Sequence, residues 1–231
     1  MTSTLRTVRV LLTNWYWALL FPVTILLVSF VVNLVIFAAI GRAAMQNSWT
    51  GGLASIYLVQ LAVSWAGVRQ HFSFTVGLNA TRRAFYSGLT LVVLAQSVLF
   101  GLFVYLGAWI ERATDGWGVG MKFFDPASFL DHHALSAMLI YIVPMALVSC
   151  FGVFVGAVGK RWGTFGFFGF SLASIVVFGG IAVLISLLHG WPAVGSWFVD
   201  QSALSLLAGW ALVPTVLLGL GGSAVLRRAI P

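Results

Sequence analysis

Long apolar runs, each bounded by polar or charged residues, fill almost the whole 231-residue chain. A helix that crosses a bilayer needs about 20 predominantly apolar residues. Six runs meet this requirement, at roughly residues 15–40, 50–68, 85–110, 134–158, 163–189 and 202–226. No strand-like alternation accompanies them, and a lipid-embedded backbone that is not a closed barrel must be helical. The pattern predicts an all-α polytopic membrane protein in which residues 1–231 form a single transmembrane domain.

The segment before the first run has a different, amphipathic pattern over residues 3–14. At helical spacing Leu5, Val8 and Leu12 share one face, whereas Arg9 lies on the opposite face. A helix of this kind rests in the plane of the membrane surface with its basic face toward lipid headgroups. We therefore expect an N-terminal interfacial helix.

A net charge of +7 would indicate nucleic-acid binding in a soluble protein, but the composition of this chain argues against that interpretation. Only 7% of the residues are charged and 61% are hydrophobic, whereas soluble domains carry about 25% charged residues. The basic residues flank the apolar runs instead of forming a separate basic domain. The chain is therefore expected to have the lipid bilayer as its partner, and no nucleic acid.

The distribution of Lys and Arg predicts the orientation, because cytoplasmic loops are enriched in these residues. If the N-terminus is inside, nine of the twelve basic residues fall in inner segments. These nine are Arg6, Arg9, Arg69, Arg82, Arg83, Lys160, Arg161, Arg227 and Arg228. The other three and all five acidic residues fall outside. This sorting favours six spans with both termini in the cytoplasm.

The inner segment at 69–84 is unusual because it is rich in apolar residues. These are Phe72, Phe74, Val76 and Leu78. Exposed aromatic side chains on the cytoplasmic side indicate contact with the membrane surface or with another protein. Within this segment Gly77 can end a short helix, and Thr81 can cap the N-terminus of the third span.

The polar residues inside the runs are uncharged. They are Asn33, Gln60, Ser64, Gln96, Ser97, Ser149, Ser171 and Ser174. The first three and Gln96 are candidate residues of a transport pathway. Membrane enzymes and proton-coupled carriers need ionisable or nucleophilic groups at depth. The sequence therefore predicts no catalytic residues and no enzyme activity, and the run 156–161 lacks the spacing of a phosphate-binding loop.

Three further patterns leave alternatives open. The outer segment 111–133 combines acidic residues with His132 and His133, which suits a metal site less well than a solvated loop. The aromatic segment 190–201 is expected to dip into the outer interface. Glycines recur at spacings of three and four, at Gly152, Gly156, Gly159 and Gly163. Such a series favours close helix packing, within one chain in preference to between subunits.

Taken together, these features resemble the small ABC-2-type permeases, which are the membrane subunits of bacterial ATP-binding-cassette exporters. The shared features are the basic interfacial helix, the six spans, the Phe-rich segment after the second span and the aromatic segment before the sixth. The run 74–85 looks like the pattern that such permeases carry there, with Gly77 followed by Arg82 and Arg83 leading into the third span. Glu111 at the outer end of that span is similar too.

The resemblance implies a permease in the bacterial cytoplasmic membrane that pairs with a second copy or a paralogue. It would dock two ABC ATPase subunits, which would bind ATP and Mg²⁺, so that this chain needs no cofactor. The segment 69–84 would be the coupling helix. Its contact residues would be Phe72, Phe74, Val76, Gly77, Leu78, Arg82 and Arg83, with a second cytoplasmic contact at Lys160 and Arg161.

The cargo implied by the family and by the apolar interior is hydrophobic or amphiphilic. Two alternatives remain open. One is a channel or carrier that works without an ATPase, and the other is an accessory membrane protein that acts in assembly or immunity.

Overall fold

A computed structural model describes residues 3–13, 16–41, 48, 50–125 and 133–229. Its α-helices are α1 Ser3–Leu11, α2 Phe21–Ile40, α3 Ala54–Gly77, α4 Arg82–Ala113, α5 Ala134–Leu187, α6 Trp191–Asp200 and α7 Ala211–Arg227. Turns with the wider π-type hydrogen bonding precede α2 and α7, at Tyr16–Leu20 and Ser205–Trp210. These described ranges contain no β-strand, which confirms the all-helical prediction.

Helix α5 reverses direction at Gly163. This glycine has φ 65° and ψ −153°, a conformation outside the helical region that side-chain-bearing residues rarely adopt. The rings of Phe154 and Phe170 lie 5.6 Å apart, although 16 residues of uninterrupted helix would separate them by about 24 Å. Helix α5 is therefore an antiparallel pair, α5a (134–162) and α5b (164–187), as the separate fifth run predicted.

Within the described part of the chain, four helical segments are long and apolar enough to cross a membrane, namely Tyr16–Ile40, Arg82–Ala113, Ala134–Leu187 and Ser205–Arg227. These segments support membrane-spanning character by length and composition. Helix α3 is long enough but less apolar, because polar residues accumulate toward its end from Arg69 onward. The count of six spans and the orientation of the termini stay predictions.

The acidic residues and most basic residues lie at opposite ends of the helical bundle, and Arg112 and Lys122 are the described basic residues found with the acidic ones. The basic end is formed where α3 ends, α4 begins, α5 reverses and α7 ends. It carries Arg69, Arg82, Arg83, Lys160, Arg161, Arg227 and Arg228. A hydrogen bond of 2.8 Å from Arg82 Nη1 to the Arg227 carbonyl joins two of these helix ends. The acidic end, with Glu111, Asp115 and Asp125, lies where α4 ends and α3 and α5 begin.

The apolar interior is divided into two clusters stacked along the bundle. The basic-end cluster consists of Leu11, Val68, Phe72, Phe85, Leu89, Val92, Val93, Val153, Ala157, Leu226 and Ala229. The acidic-end cluster consists of Leu26, Phe37, Ile56, Phe100, Val104, Ala108, Met121, Phe123, Phe124, Tyr141 and Met145. Both draw on α3, α4 and α5a, so these three helices form the centre of the fold.

Helix α1 is present as predicted and packs against the start of α4. Thr7 is buried there, and Thr4 hydrogen-bonds to Ser87 at 3.1 Å. A Cβ placed on Gly88 would lie 2.8 Å from Thr7 Cγ2, so the close approach needs a glycine. Helix α1 is therefore docked on the bundle, and its additional contact with the membrane surface stays a prediction.

Two of the four regularly spaced glycines bring α5a close to α3. A Cβ on Gly152 would lie 2.5 Å from the Leu61 carbonyl oxygen, and one on Gly156 would lie 2.9 Å from that of Trp65. A Cβ on Gly159 would meet no atom within 4 Å. At Gly152 and Gly156 the series thus serves packing within one chain, which is the alternative that the sequence favoured.

The aromatic segment before the last helix forms the short helix α6. Its Trp197 ring packs against Trp210 with the centroids 5.5 Å apart, which ties α6 to the turn that precedes α7. Its other side is exposed, including Val199 and Phe198. The location of α6 in a membrane interface stays a prediction.

Candidate functional site

A layer of buried polar side chains separates the two apolar clusters. It comprises Gln60 and Ser64 of α3, Gln96 and Ser97 of α4, and Ser149 of α5a. On each helix these residues fall between a member of the acidic-end cluster and a member of the basic-end cluster. We call this group the polar layer.

Hydrogen bonds within the polar layer connect three parts of the chain. Gln60 Nε2 donates to Gln96 Oε1 at 3.1 Å. Gln96 Nε2 donates to the Ala18 carbonyl at 2.8 Å, in the π-type turn before α2. Ser97 and Ser149 donate instead to carbonyls one turn earlier in their own helices, each at 2.8 Å. The two glutamines therefore carry the contacts between helices.

Two polar atoms of this layer lack a hydrogen-bond partner among the described residues, namely Gln60 Oε1 and Ser64 Oγ. Both residues are buried, and they share one face of α3 because they are four positions apart. A buried polar group without a partner costs roughly 1–3 kcal/mol. The layer thus retains unused hydrogen-bonding capacity on one side of α3.

A cavity of about 390 Å³ reaches the polar layer at Ser64 and Gln96. Its walls are α1, the turn before α2, α3 and α4. Trp17 and Gln70, which also line it, are exposed, so the cavity connects the surface of the bundle with the polar layer. Its volume lies within the range of about 300–1,000 Å³ that small-molecule sites occupy.

Among the residues that the structure describes, the cavity lining contains no Asp, Glu, Lys or Arg. His71 lines it beyond the predicted second span, and burial lowers the pKa of this imidazole below its ordinary value. The side chain is therefore uncharged at neutral pH. The guanidinium of nearby Arg69 lies over the Trp65 ring at 5.1 Å, and neither residue lines the cavity. The site can form hydrogen bonds but offers no charge to balance an ionic ligand.

The four predicted pathway residues do not form one group. Gln60, Ser64 and Gln96 come together in the polar layer. Asn33 lies elsewhere, with its Nδ2 donating to the Ser29 carbonyl at 2.8 Å and facing Gly52 just before α3. Its role in a pathway stays a prediction.

In the segment 69–84, the structure separates inward-facing from outward-facing apolar residues. Phe72 is fully buried and packs against Phe85 with ring centroids 5.3 Å apart. Val76 packs against the same basic-end cluster. Phe74 is 57% exposed and Leu78 58% exposed. Only these last two present an apolar surface to a partner.

The backbone of this segment is more regular than a loop. Helix α3 continues without a break through Gly77, which is its last residue, so no separate short helix forms. The Thr81 side chain accepts a hydrogen bond from the Ala84 amide at 3.1 Å and caps α4, as predicted. Between them Asn79 adopts φ 62°, a value that asparagine tolerates better than most residues.

The predicted second contact, at Lys160 and Arg161, lies just before the reversal at Gly163. Both side chains are half-buried, and the Arg161 guanidinium lies over the Trp162 ring at 4.2 Å. Both residues belong to the basic end of the bundle, which they share with Phe74.

Glu111 has a structural role that the sequence did not reveal. It is 4% exposed, and its Oε2 accepts from the amides of Phe123 and Phe124, each at 2.8 Å. Trp117 Nε1 donates to Oε2 at 3.2 Å, and the Asp125 amide donates to Oε1 at 3.1 Å. One carboxylate thus holds the segment 117–125 that follows α4. A short sequence motif does not predict these contacts, because the donors lie 6 to 14 residues after Glu111 in the chain.

The metal site at 111–133, which the sequence left open as the less favoured alternative to a solvated loop, gains no support from the described residues. Within the described ranges no three His, Cys, Asp or Glu side chains are grouped so that they could hold a metal ion. Asp131 and His132 lie outside the residues that the structure describes. The carboxylate of Glu111 is instead occupied by amide donors.

Comparison with protein-family models, curated proteins and solved structures finds no match to this chain.

Proposed function

We propose that this chain is the membrane subunit of an ATP-binding-cassette transporter in a bacterial cytoplasmic membrane. It would cross the membrane six times with its basic end in the cytoplasm and dock an ABC ATPase there. The observation that carries the proposal is the exposed pair Phe74 and Leu78 at the end of α3. An ATPase-independent channel or carrier and an accessory membrane protein are the alternatives.

The pair has the properties of a small docking surface. Phe74 and Leu78 are four positions apart and so lie side by side on one face of the helix end. Burying each side chain contributes about 1.5–3 kcal/mol. Arg83 is exposed nearby, and Arg69 carries a second charge one to two turns earlier. An apolar centre with a basic rim favours a protein surface that has an apolar groove and an acidic border.

Helix α3 offers a direct connection between this surface and the polar layer. It runs unbroken from Gln60 to Gly77, a distance of about 26 Å along its axis. The hydrogen bond from Arg82 to the Arg227 carbonyl links the same end of the bundle to α7. Movement of an ATPase against Phe74 would therefore displace Gln60 and Ser64, and α7 with them. This is the coupling that an ATP-driven permease needs.

The docking surface is tested by the substitution Phe74→Asp. We expect this change to reduce copurification of a coexpressed cognate ABC ATPase about tenfold or more, because a charge would enter an apolar contact. The matched control is Asn79→Asp, which introduces the same charge one turn further along without altering the apolar pair. Recovery of ATPase and ATP-hydrolysis activity with the tagged membrane protein is the measurement.

Two outcomes would contradict the proposal. If no ABC ATPase associates with the wild-type protein, the permease assignment fails and the ATPase-independent alternatives gain. If Phe74→Asp and Asn79→Asp reduce association equally, the effect arises from charge at the basic end. The apolar docking surface is then wrong.

A further inference from the structure

From the polar layer and its cavity, we propose that this chain binds one amphiphilic molecule by an uncharged, hydrogen-bonding head group. The head group lies at Ser64 and Gln96, and the apolar tail extends along Leu11 and Leu89. Binding of this ligand needs no ATPase. Its role as the loading site for cargo, by contrast, rests on the proposed permease function.

The unpartnered atoms specify the head group. Ser64 Oγ lines the cavity and lacks a hydrogen-bond partner among the described residues. Gln60 Oε1 also lacks one, and Gln60 is bonded to Gln96, which lines the cavity too. Gln60 itself does not line the cavity, so Ser64 Oγ is the unpartnered atom that a ligand meets, and this hydroxyl can both donate and accept. A hydroxyl or primary amide head can also do both and so pairs with it fully, whereas an ester or ether can only accept.

The absence of charge in the lining excludes an ionic head. A buried ion without a counter-charge pays a desolvation cost of several kcal/mol. The described residues that line the cavity are uncharged, and the cationic side chain of Arg69 lies over Trp65. Fatty-acid anions and quaternary ammonium heads are therefore poor ligands.

The rest of the lining suits an apolar tail. The lining includes the apolar Leu11, Leu89 and Val92 and the exposed Gln70. Leu89 and Gln70 lie seven and six positions from Gln96 and Ser64 on α4 and α3, about two helical turns toward the basic end. A single-chain amphiphile can therefore hold its head at Ser64 and leave its tail along this apolar lining.

The test uses the purified chain alone in phosphatidylcholine nanodiscs, with a monoacylglycerol that carries a photoreactive diazirine in its acyl chain. Cross-linked peptides are identified by mass spectrometry. We expect labelling in residues 63–71 and 89–96, and competition by unlabelled monoacylglycerol. The corresponding fatty-acid methyl ester and fatty-acid anion are expected to compete at least about tenfold less well.

A cavity-filling variant provides the structural arm of the test. Gly67 lines the cavity, and a Cβ there would meet no atom within 4 Å. Gly67→Leu is therefore expected to reduce labelling about tenfold without a steric clash. Gly180→Leu is the matched control, because Gly180 is equally open but lies on α5b away from the cavity. Ser64→Ala should weaken competition about three- to tenfold by removing one hydrogen bond.

Each contrary result overturns the proposal. If the methyl ester competes as well as the monoacylglycerol, the head-group assignment is wrong. If the diazirine probe labels the Gly67→Leu and Gly180→Leu variants equally, the ligand does not occupy this cavity. If labelling is absent from both peptides in the folded wild-type protein, the cavity holds water only. Since no ATPase is present, none of these results bears on the docking surface at Phe74.

Discussion

Replacing Glu111 with Leu is expected to lower the free energy of unfolding by about 3–6 kcal/mol. The substitution removes the acceptor for the amides of Phe123, Phe124 and Asp125, all buried beside the acidic-end cluster. Each buried amide without a partner costs roughly 1–3 kcal/mol, and hydrogen bonds to a charged acceptor are the stronger kind. The Trp117 indole would lose its acceptor as well.

Thermal unfolding of the detergent-purified protein measures this effect, and we expect the melting temperature to fall by about 10 °C or more. Asp200→Leu is the control, because Asp200 is an exposed acidic residue at the end of α6. Glu111→Gln retains one acceptor oxygen and should give an intermediate loss. A melting temperature for Glu111→Leu equal to that of Asp200→Leu would show that the carboxylate does not hold the segment 117–125.

Gly152→Ala and Gly159→Ala are expected to change stability in opposite directions. In an exposed helix interior, Ala is more favourable than Gly by about 1 kcal/mol. Gly159 has open space for a Cβ, so Gly159→Ala is expected to increase stability by about this helix-propensity difference. At Gly152 the new methyl group would lie 2.5 Å from the Leu61 carbonyl oxygen and 3.0 Å from Ser64 Cβ. Forcing α3 and α5a apart costs about 1–3 kcal/mol.

Melting temperatures of the two variants, measured together with that of the wild type, show whether each substitution raises or lowers stability. We expect Gly152→Ala to melt lower than wild type and Gly159→Ala to melt at the same temperature or higher. Two equal shifts would mean that α5a does not approach α3 through Gly152. Because Ser64 borders this contact, Gly152→Ala should also reduce labelling of the cavity in the cross-linking assay.

The sequence predicted the helices well because hydrophobic length and charge flanks are local signals. The break between the fourth and fifth runs was visible in the same way, and the structure places the reversal at Gly163. The predicted loop at 69–84 was less accurate. Helix α3 extends through Gly77, and at 3.6 residues per turn Phe72 and Val76 share a buried face. Phe74 and Leu78 then share an exposed one.

The polar layer could be predicted only in part. Gln60 and Gln96 lie at similar distances from the turn at 78–81, so an antiparallel pair of helices brings them to one depth. The position of Ser149 depends on the long connection after α4, and that of Asn33 on the connection after α2. Short-range sequence patterns do not predict how deep Ser149 and Asn33 lie along the bundle axis. The cavity and the four donors to Glu111 arise from tertiary packing, which a single sequence does not encode in short motifs.

The stacking of two apolar clusters on either side of a polar layer has a mechanical consequence. Within each cluster, side chains from α3, α4 and α5a interlock, which resists local deformation. Between the clusters the same helices are joined by few hydrogen bonds, and two polar atoms there have no described partner. Bending of α3 and α4 at this depth would therefore disturb fewer apolar contacts than bending within either cluster. Such bending would change the shape of the cavity that reaches Ser64 and Gln96.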